Sequence, residues 1–341
     1  MNRQPGSHRQ RGIAALTAIL VVAIATVLAV NLLWTTSVDI QRTQTLLLQD
    51  QARLYDLGGE ELARFFLADD GREDGQGGID SMGEAWAKVL VRQFNEGTLE
   101  GWLVDQQGLF DLNSLVDRGT TRVNPEARAQ FVRLLMLLDL DPDPRLDEVT
   151  ATGLADAAVD WIDPDTQAEA SGAEDDYYSG LRPPYLAANF WLTSVSELQA
   201  VRGFTPEILA RLAPHVTALP RKGEGSGQWP LNVNTATDLV LASLVSNQTA
   251  DSIKSVCEFA AQPQTGTEVV AEEFESAEKF RDAFRLATSA EIPVEVPLAT
   301  GSNWFLLTVT TSIGTTRSTM YSLLERNGDV VQPRLRTFDA N

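Results

Sequence analysis

The chain is poor in soft and redox-active side chains. Cys257 is its only cysteine, so no internal disulfide can form and stability must come from packing or a bound metal. His8 and His215 are its only histidines, which leaves no cluster of imidazoles and thiolates for zinc or a redox metal. No G-x-S-x-G elbow, Walker loop or metal-hydrolase motif appears, and His215 in LAPHVTALP reads as a structural residue at a helix end. With no base beside a nucleophile and no oxyanion hole in view, the chain is expected not to be an enzyme. Basic residues are scarce as well. Against 47 Asp and Glu stand 27 Lys and Arg, a net charge of -20. Setting aside residues 1–12 with their three arginines leaves 24 basic against 47 acidic residues, or -23, a surface that repels nucleic acid and anionic lipid.

What is present begins with one long apolar run. From Ile13 to Trp34 no charge interrupts IAALTAILVVAIATVLAVNLLW, and as a helix it spans roughly 33 Å, enough to cross a bilayer. Arg3, Arg9 and Arg11 precede it without an acid, so the positive-inside rule keeps the N-terminus cytoplasmic and sends the remainder outward. The run exceeds the apolar core of a cleavable secretory signal, about 7 to 15 residues. The basic leader ends in Gly12 directly before the run and resembles a type IV pilin-like leader, cut by a prepilin peptidase after the glycine to leave Ile13 as the mature N-terminus. Pilins and most pseudopilins carry Glu at the fifth mature position, whereas this chain has Thr17. An ordinary uncleaved anchor and a pilin-like subunit with nothing above it both fit that departure.

Downstream, 341 residues at 43% hydrophobic suffice for two or three packed units. LLLQDQARLYDLGGEELARFF places Leu47, Leu54, Leu57 and Phe65 on one helical face, so the helix is expected to leave the membrane as a stalk to about Phe66, weakened at Gly58 and Gly59. The run from Asp69 to Gly78 reads as a loop. GWLVDQQGLFDLNSLV reads as a hairpin turning at Gly108. Helices are expected over Ala129–Leu140 and Gly153–Ile162, stopped by Pro142 and Pro164, and RKGEGSGQWP marks a linker from Arg221 to Pro230. NWFLLTVTTS and RSTMYSLLER form a closing hairpin around Ile313–Gly314. Strands on both sides of a helical block mean a small antiparallel sheet interrupted by an insertion.

Between Asp139 and Asp176 lie 13 acids and one base, Arg145. A hard divalent cation relieves such crowding, and calcium takes six to eight oxygens on an adaptable loop. Asp163, Asp165, Gln167, Glu169, Ser171 and Glu174 follow the EF-hand ligand spacing, but Ala168 stands where that turn needs glycine, so the pattern predicts a calcium loop of another kind. Asp175 and Asp176 are equally credible ligands, for one ion or two. A solvated acidic loop is the competing reading.

LQAVRGFTPEILARL and LNVNTATDLVLASLVSNQTADSIKSV resemble helix-hairpin-helix units, the second being especially similar to those in membrane-anchored competence proteins that capture DNA. The turn at Gly203–Phe204–Thr205 has one glycine and that at Ser246–Asn247–Gln248 none, and Arg202, Arg211, Arg221 and Lys222 make a modest basic patch at best. A membrane-anchored DNA receptor is therefore the alternative reading, and a module used for packing or protein contact is the expected one.

Taken together, QRGIAALTAILVVAIATVLA, the DWIDPD to GAEDDYY block, SVSELQAVRGFTPE and LNVNTAT resemble, in the same order along nearly the whole chain, the minor pseudopilins of the protein K family of bacterial type II secretion systems. The resemblance implies an α+β pilin-like fold: a leader over 1–12, a transmembrane and stalk helix over 13–66, and pilin-like parts over 67–112 and 291–341. Between them it implies an inserted α-domain over 113–290 with helix-hairpin-helix-like parts at about 113–222 and 228–290. It also implies a calcium site on Asp163, Asp165, Glu174, Asp175 and Asp176, and a family habit of lacking the glutamate that Thr17 replaces. The function implied is structural. With two other minor pseudopilins the protein would form the tip of a periplasmic pseudopilus above the major pseudopilin and prime its assembly for export across the outer membrane. Its further expected partners are prepilin peptidase, which processes and methylates the new N-terminus, the inner-membrane assembly platform, and secretin or secreted cargo. No nucleic acid is expected.

Overall fold

The computed structural model describes residues 8–73, 78–117, 120–140, 145–221, 228–260 and 273–339. The leader expected over 1–12 falls largely outside them, as do Asp141 to Pro144, Lys222 and most of the expected linker; of Gly12 only the helical backbone is described, and of Cys257 likewise.

In chain order the elements begin with α1 (His8–Glu73), β1 (Leu90–Phe94), β2 (Gly97–Asp105) and β3 (Phe110–Asp111), followed by α2 (Pro125–Leu137), α3 (Glu148–Ile162) and the short α4 (Asp175–Tyr178). Next come α5 (Pro206–Leu212), β4 (Val216–Thr217), β5 (Leu231–Asn232), α6 (Asp238–Ser243), α7 (Ala250–Ala260), α8 (Ala277–Thr288), β6 (Leu298–Ala299), β7 (Trp304–Ile313), β8 (Thr316–Asn327) and β9 (Val330–Asp339).

Helix α1 contains no proline and continues unbroken through Gly58 and Gly59. Its first half is long and apolar enough to cross a membrane, and every side chain from Ile13 to Val30 is exposed in the isolated chain. Its second half packs on the sheet, and of the stripe expected from the sequence only Leu57 is half-buried against the cluster there. Leu47, Leu54 and Phe65 are 63%, 69% and 59% exposed. The buried face is Ala52, Asp56, Glu60, Ala63 and Leu67, nearly opposite on the helical wheel. Polar groups hold it there: Arg336 of β9 grips Glu60 through Nε at 2.8 Å and Nη2 at 2.6 Å, and the Ser318 hydroxyl of β8 donates to Asp56 at 2.6 Å. At Gly59 a Cβ would stand 3.0 Å from Val309, so the glycine that weakens the isolated helix also lets it approach β7 closely. The helix runs on to Glu73 where a loop was expected, because Asp70 is held by Arg326 Nη1 at 2.6 Å.

The five-stranded antiparallel sheet has the order β1-β2-β7-β8-β9. The closing hairpin around Gly314 is present as expected. The early one is corrected. Strand β2 pairs backward with β1, and past Gly108 the short β3 runs parallel to β4 instead of folding back on β2. Everything between β2 and β7 is inserted into the sheet. Two hydrophobic clusters result: one between α1 and the sheet, built on Leu67, Trp86, Phe305, Val309 and Met320, and a larger one running from Phe110 to Val296 in the insertion. Helices α2 and α3 start earlier than their apolar runs, at Asn124 and Asp147, whose carboxamide and carboxylate accept hydrogen bonds from the first-turn N–H groups. Helix α2 ends at Leu137, before the proline expected to stop it.

A candidate metal centre and a polar joint

Helix α3 carries acids on one face, Asp156, Asp160 and then Asp163 at its C-cap, all buried. Two of them fold the next loop back over the helix. Asp160 Oδ1 accepts from the Glu169 N–H at 2.9 Å and Asp156 Oδ2 from the Ser171 N–H at 3.2 Å, while Arg128 Nε meets Asp156 Oδ1 at 2.7 Å. Arg202 closes the loop from outside, donating to the Gly172 carbonyl at 2.7 Å and stacking on Tyr177. The chain then returns through Glu174 into α4, whose Tyr178 packs edge-on against Trp161.

The result is a group of carboxylates. One oxygen each of Asp163, Asp165 and Glu174 lies within 4.8 Å of the others. Asp163 and Glu174 are 3% and 5% exposed, yet Asp163 Oδ1 and both oxygens of Glu174 are buried without a hydrogen-bond partner, as is Asp160 Oδ2. Burial, reinforced by the neighbouring acids, pushes the Asp163 and Glu174 carboxyls up to about 7. Burial likewise raises Asp160 to about 6. Buried acceptors normally find donors, so several oxygens orphaned together fit a bound hard cation. Of the remaining expected ligands, Asp175 and Asp176 open α4, and Asp175 Oδ1 accepts from the Ala187 N–H at 3.0 Å. Gln167, Glu169 and Ser171, which complete the EF-hand spacing, are exposed.

The two presumed hairpin units are short helical pairs. The first joins a 3-10 turn, Val195–Ala200, to α5, and the second joins α6 to α7. In the first, Gly203 has φ 88° and a Cβ there would stand 2.8 Å from Leu154, so its turn is spent on packing against α3. His215 is half-buried with Nδ1 2.8 Å from the Thr237 hydroxyl that caps α6, and burial lowers its pKa.

The LNVNTAT stretch has a role the sequence did not suggest. Asn232 is fully buried, and its Nδ2 reaches the Asp80 carbonyl at 3.1 Å, Asp105 Oδ2 at 3.0 Å and the Ser302 hydroxyl at 3.0 Å. Thr235 and Ser302 also donate to Asp105 Oδ2, each at 2.6 Å. Arg326 then ties Asp80 and Asp70 together and donates to the Ser302 carbonyl at 2.8 Å. This polar joint locks the insertion onto the ends of β2 and β7. The only signal in the sequence was the unusual density of Asn and Thr between apolar residues.

Residues 108–221, which contain α2, α3 and the acidic loop, match the family model described as Type II secretion system (T2SS), protein K. Among similar proteins, the type II secretion system protein K of Aeromonas hydrophila is 30% identical over 95% of this chain and 96% of its own. That of Klebsiella pneumoniae is 32% identical over 96% of this chain and 97% of its own, and that of Pseudomonas aeruginosa 32% identical over 94% and 90%. The fold is similar to a chain in the crystal structure of the GspK-GspI-GspJ complex from the type 2 secretion system of enterotoxigenic Escherichia coli, with TM-score 0.70 and 22% identity, covering 88% of this chain and 100% of that one. With identity of this order over nearly its whole length, the chain belongs to the type II secretion system protein K family.

Proposed function

We propose that this chain is a non-enzymatic minor pseudopilin that forms the tip of a periplasmic pseudopilus with other minor pseudopilins and initiates its assembly for protein export. The observation that carries this reading is the insertion of residues 106–303 into a helix-on-sheet core, where it makes a bulky second unit that would obstruct another subunit above. A chain of similar fold crystallised in a GspK-GspI-GspJ complex, which supports other minor pseudopilins as partners. The outward stripe of Leu47, Leu54 and Phe65 on α1, opposite the face packed on the sheet, suits burial against the helix of a neighbouring subunit. Thr17 fits a tip position. Its hydroxyl is satisfied within the helix by the Ala14 carbonyl at 2.9 Å, and it offers no carboxylate to a neighbour's amine. In this reading prepilin peptidase cuts between Gly12 and Ile13, the N-terminus is cytoplasmic, and both packed units lie in the periplasm.

The acidic loop is a calcium site in the same reading, held by Asp163, Asp165 and Glu174 with Asp175 and Asp176 beside them. A divalent cation there offsets the mutual repulsion of carboxylates whose oxygens lie within 4.8 Å, and fixes α3, the loop and α4 to one another. Co-expression with the other minor pseudopilins tests the assembly role. Recovery of a stable complex of mature chains beginning at Ile13 is the expected result, and recovery of this chain alone with Met1 intact, in a host with prepilin peptidase, overturns it.

A further inference from the structure

The segment 179–194 contains no regular helix or strand, yet the acidic loop holds it at two points. One is the Ala187 N–H on Asp175; the other is Asn189, whose Nδ2 donates to the Asp165 carbonyl at 3.1 Å. That second bond fixes the orientation of the amide, because the flipped form would set its oxygen against a carbonyl oxygen. Oδ1 is therefore the other end, and it is buried without a hydrogen-bond partner, like Asp163 Oδ1 and the two Glu174 oxygens. Calcium takes six to eight oxygens, and three carboxylates reach six only if each binds through both of its oxygens, so a neutral amide oxygen adds a ligand without adding charge to a crowded acidic site. We propose that Asn189 Oδ1 is a further ligand of this cation site, so that a bound calcium ion ties the irregular segment 185–191 to the acidic loop. The proposal rests on the calcium reading of that loop.

Asn189 has φ 46°, in the left-handed region, so Asn189→Gly removes the oxygen without straining the backbone, and Asn189→Asp keeps an oxygen while losing the Nδ2 donor. The test is calcium titration calorimetry on the full chain in detergent, after chelator stripping, with the calcium-free melting temperature of each variant as a check on folding. The glycine variant is expected to bind calcium at least about tenfold more weakly, and the aspartate variant as tightly as the parent or more tightly. Hydrogen exchange over 185–191 should slow with calcium in the parent and the aspartate variant but not in the glycine variant. If both variants lose affinity equally, only the Nδ2 bond to Asp165 matters and the proposal fails. Unchanged affinity in the glycine variant refutes it as well. No calcium uptake by the parent chain refutes the calcium reading itself, and the Asn189 proposal with it.

Discussion

Removing the divalent cation proposed for the acidic loop should loosen the insertion, and the size of the effect follows from the site. The unliganded loop crowds carboxylate oxygens of Asp163, Asp165 and Glu174 within 4.8 Å of one another, and burial and the neighbouring acids raise Asp163 and Glu174 to about 7. A cation present at about a hundred to a thousand times its Kd adds roughly 2.7 to 4.1 kcal/mol to the folded state by mass action. For a unit of this size that is a rise in Tm of about 5 to 16 °C. Differential scanning calorimetry of the detergent-solubilised chain in calcium and in EDTA reads the shift directly, and elemental analysis counts the ions. In Asp163→Asn the calcium response should vanish. Its melting point in EDTA should equal or exceed that of the parent, because a neutral side chain removes part of the repulsion. Coincident calcium and EDTA melts without bound calcium, or an Asp163→Asn variant that keeps the full response, would refute this reasoning and leave the block a solvated acidic loop.

Other consequences are open to measurement. Asp111 is pushed up to about 6 by burial, against the hydrogen bonds from the Leu219 and Asn113 N–H groups. Its folded pKa lies above the unfolded value, so the folded state holds the extra proton and stability falls as pH rises from about 4 to 6, by up to about 3 kcal/mol. Denaturant titrations of Asp111→Asn should lack that component of the slope, and an unchanged slope removes Asp111 as its source. Arg326→Met removes the ion pairs to Asp70 and to the buried Asp80 at the polar joint and should cost about 3 to 5 kcal/mol; a loss under about 1 kcal/mol would show that the joint is not held by this arginine. Phe131, buried and stacked on Phe110, should cost about 3 to 5 kcal/mol when changed to Ala, read as a lowered denaturation midpoint. A low-salt gel shift with duplex DNA is expected to show no retained complex, and a salt-sensitive shift would revive the DNA-receptor reading.

Periodicity made α2 and α3 legible, though not their starts at the caps Asn124 and Asp147, and the closing hairpin announced itself through β-branched residues around Gly314. Strands at the sheet edges were not legible. Strand β1, LVRQF, has three exposed residues at its centre, and β9 carries Pro333, Arg334 and Arg336, the composition of a protected edge and not of a core strand. The hairpin expected at Gly108 failed for a different reason. Strand β2 finds one partner just before it and the other in β7, beyond the whole insertion, and local turn chemistry does not encode such a distant pairing. On α1 the apolar stripe pointed to the face left outward, while the packed face is held by Glu60 with Arg336 and Asp56 with Ser318, pairs whose partners are remote in sequence. The acidic loop was legible because carboxylate density is a local property. Which of its oxygens share a space depends on α3 and the fold-back through Asp156 and Asp160, and so does the position of Asn189.

The most direct test is the position of this subunit in assembled pseudopili. Gold labelling of an epitope in the insertion, viewed by electron microscopy on filaments sheared from cells that overproduce the major pseudopilin, should mark a single end of each filament. Label distributed along the filament length would contradict a tip subunit that blocks further addition above it.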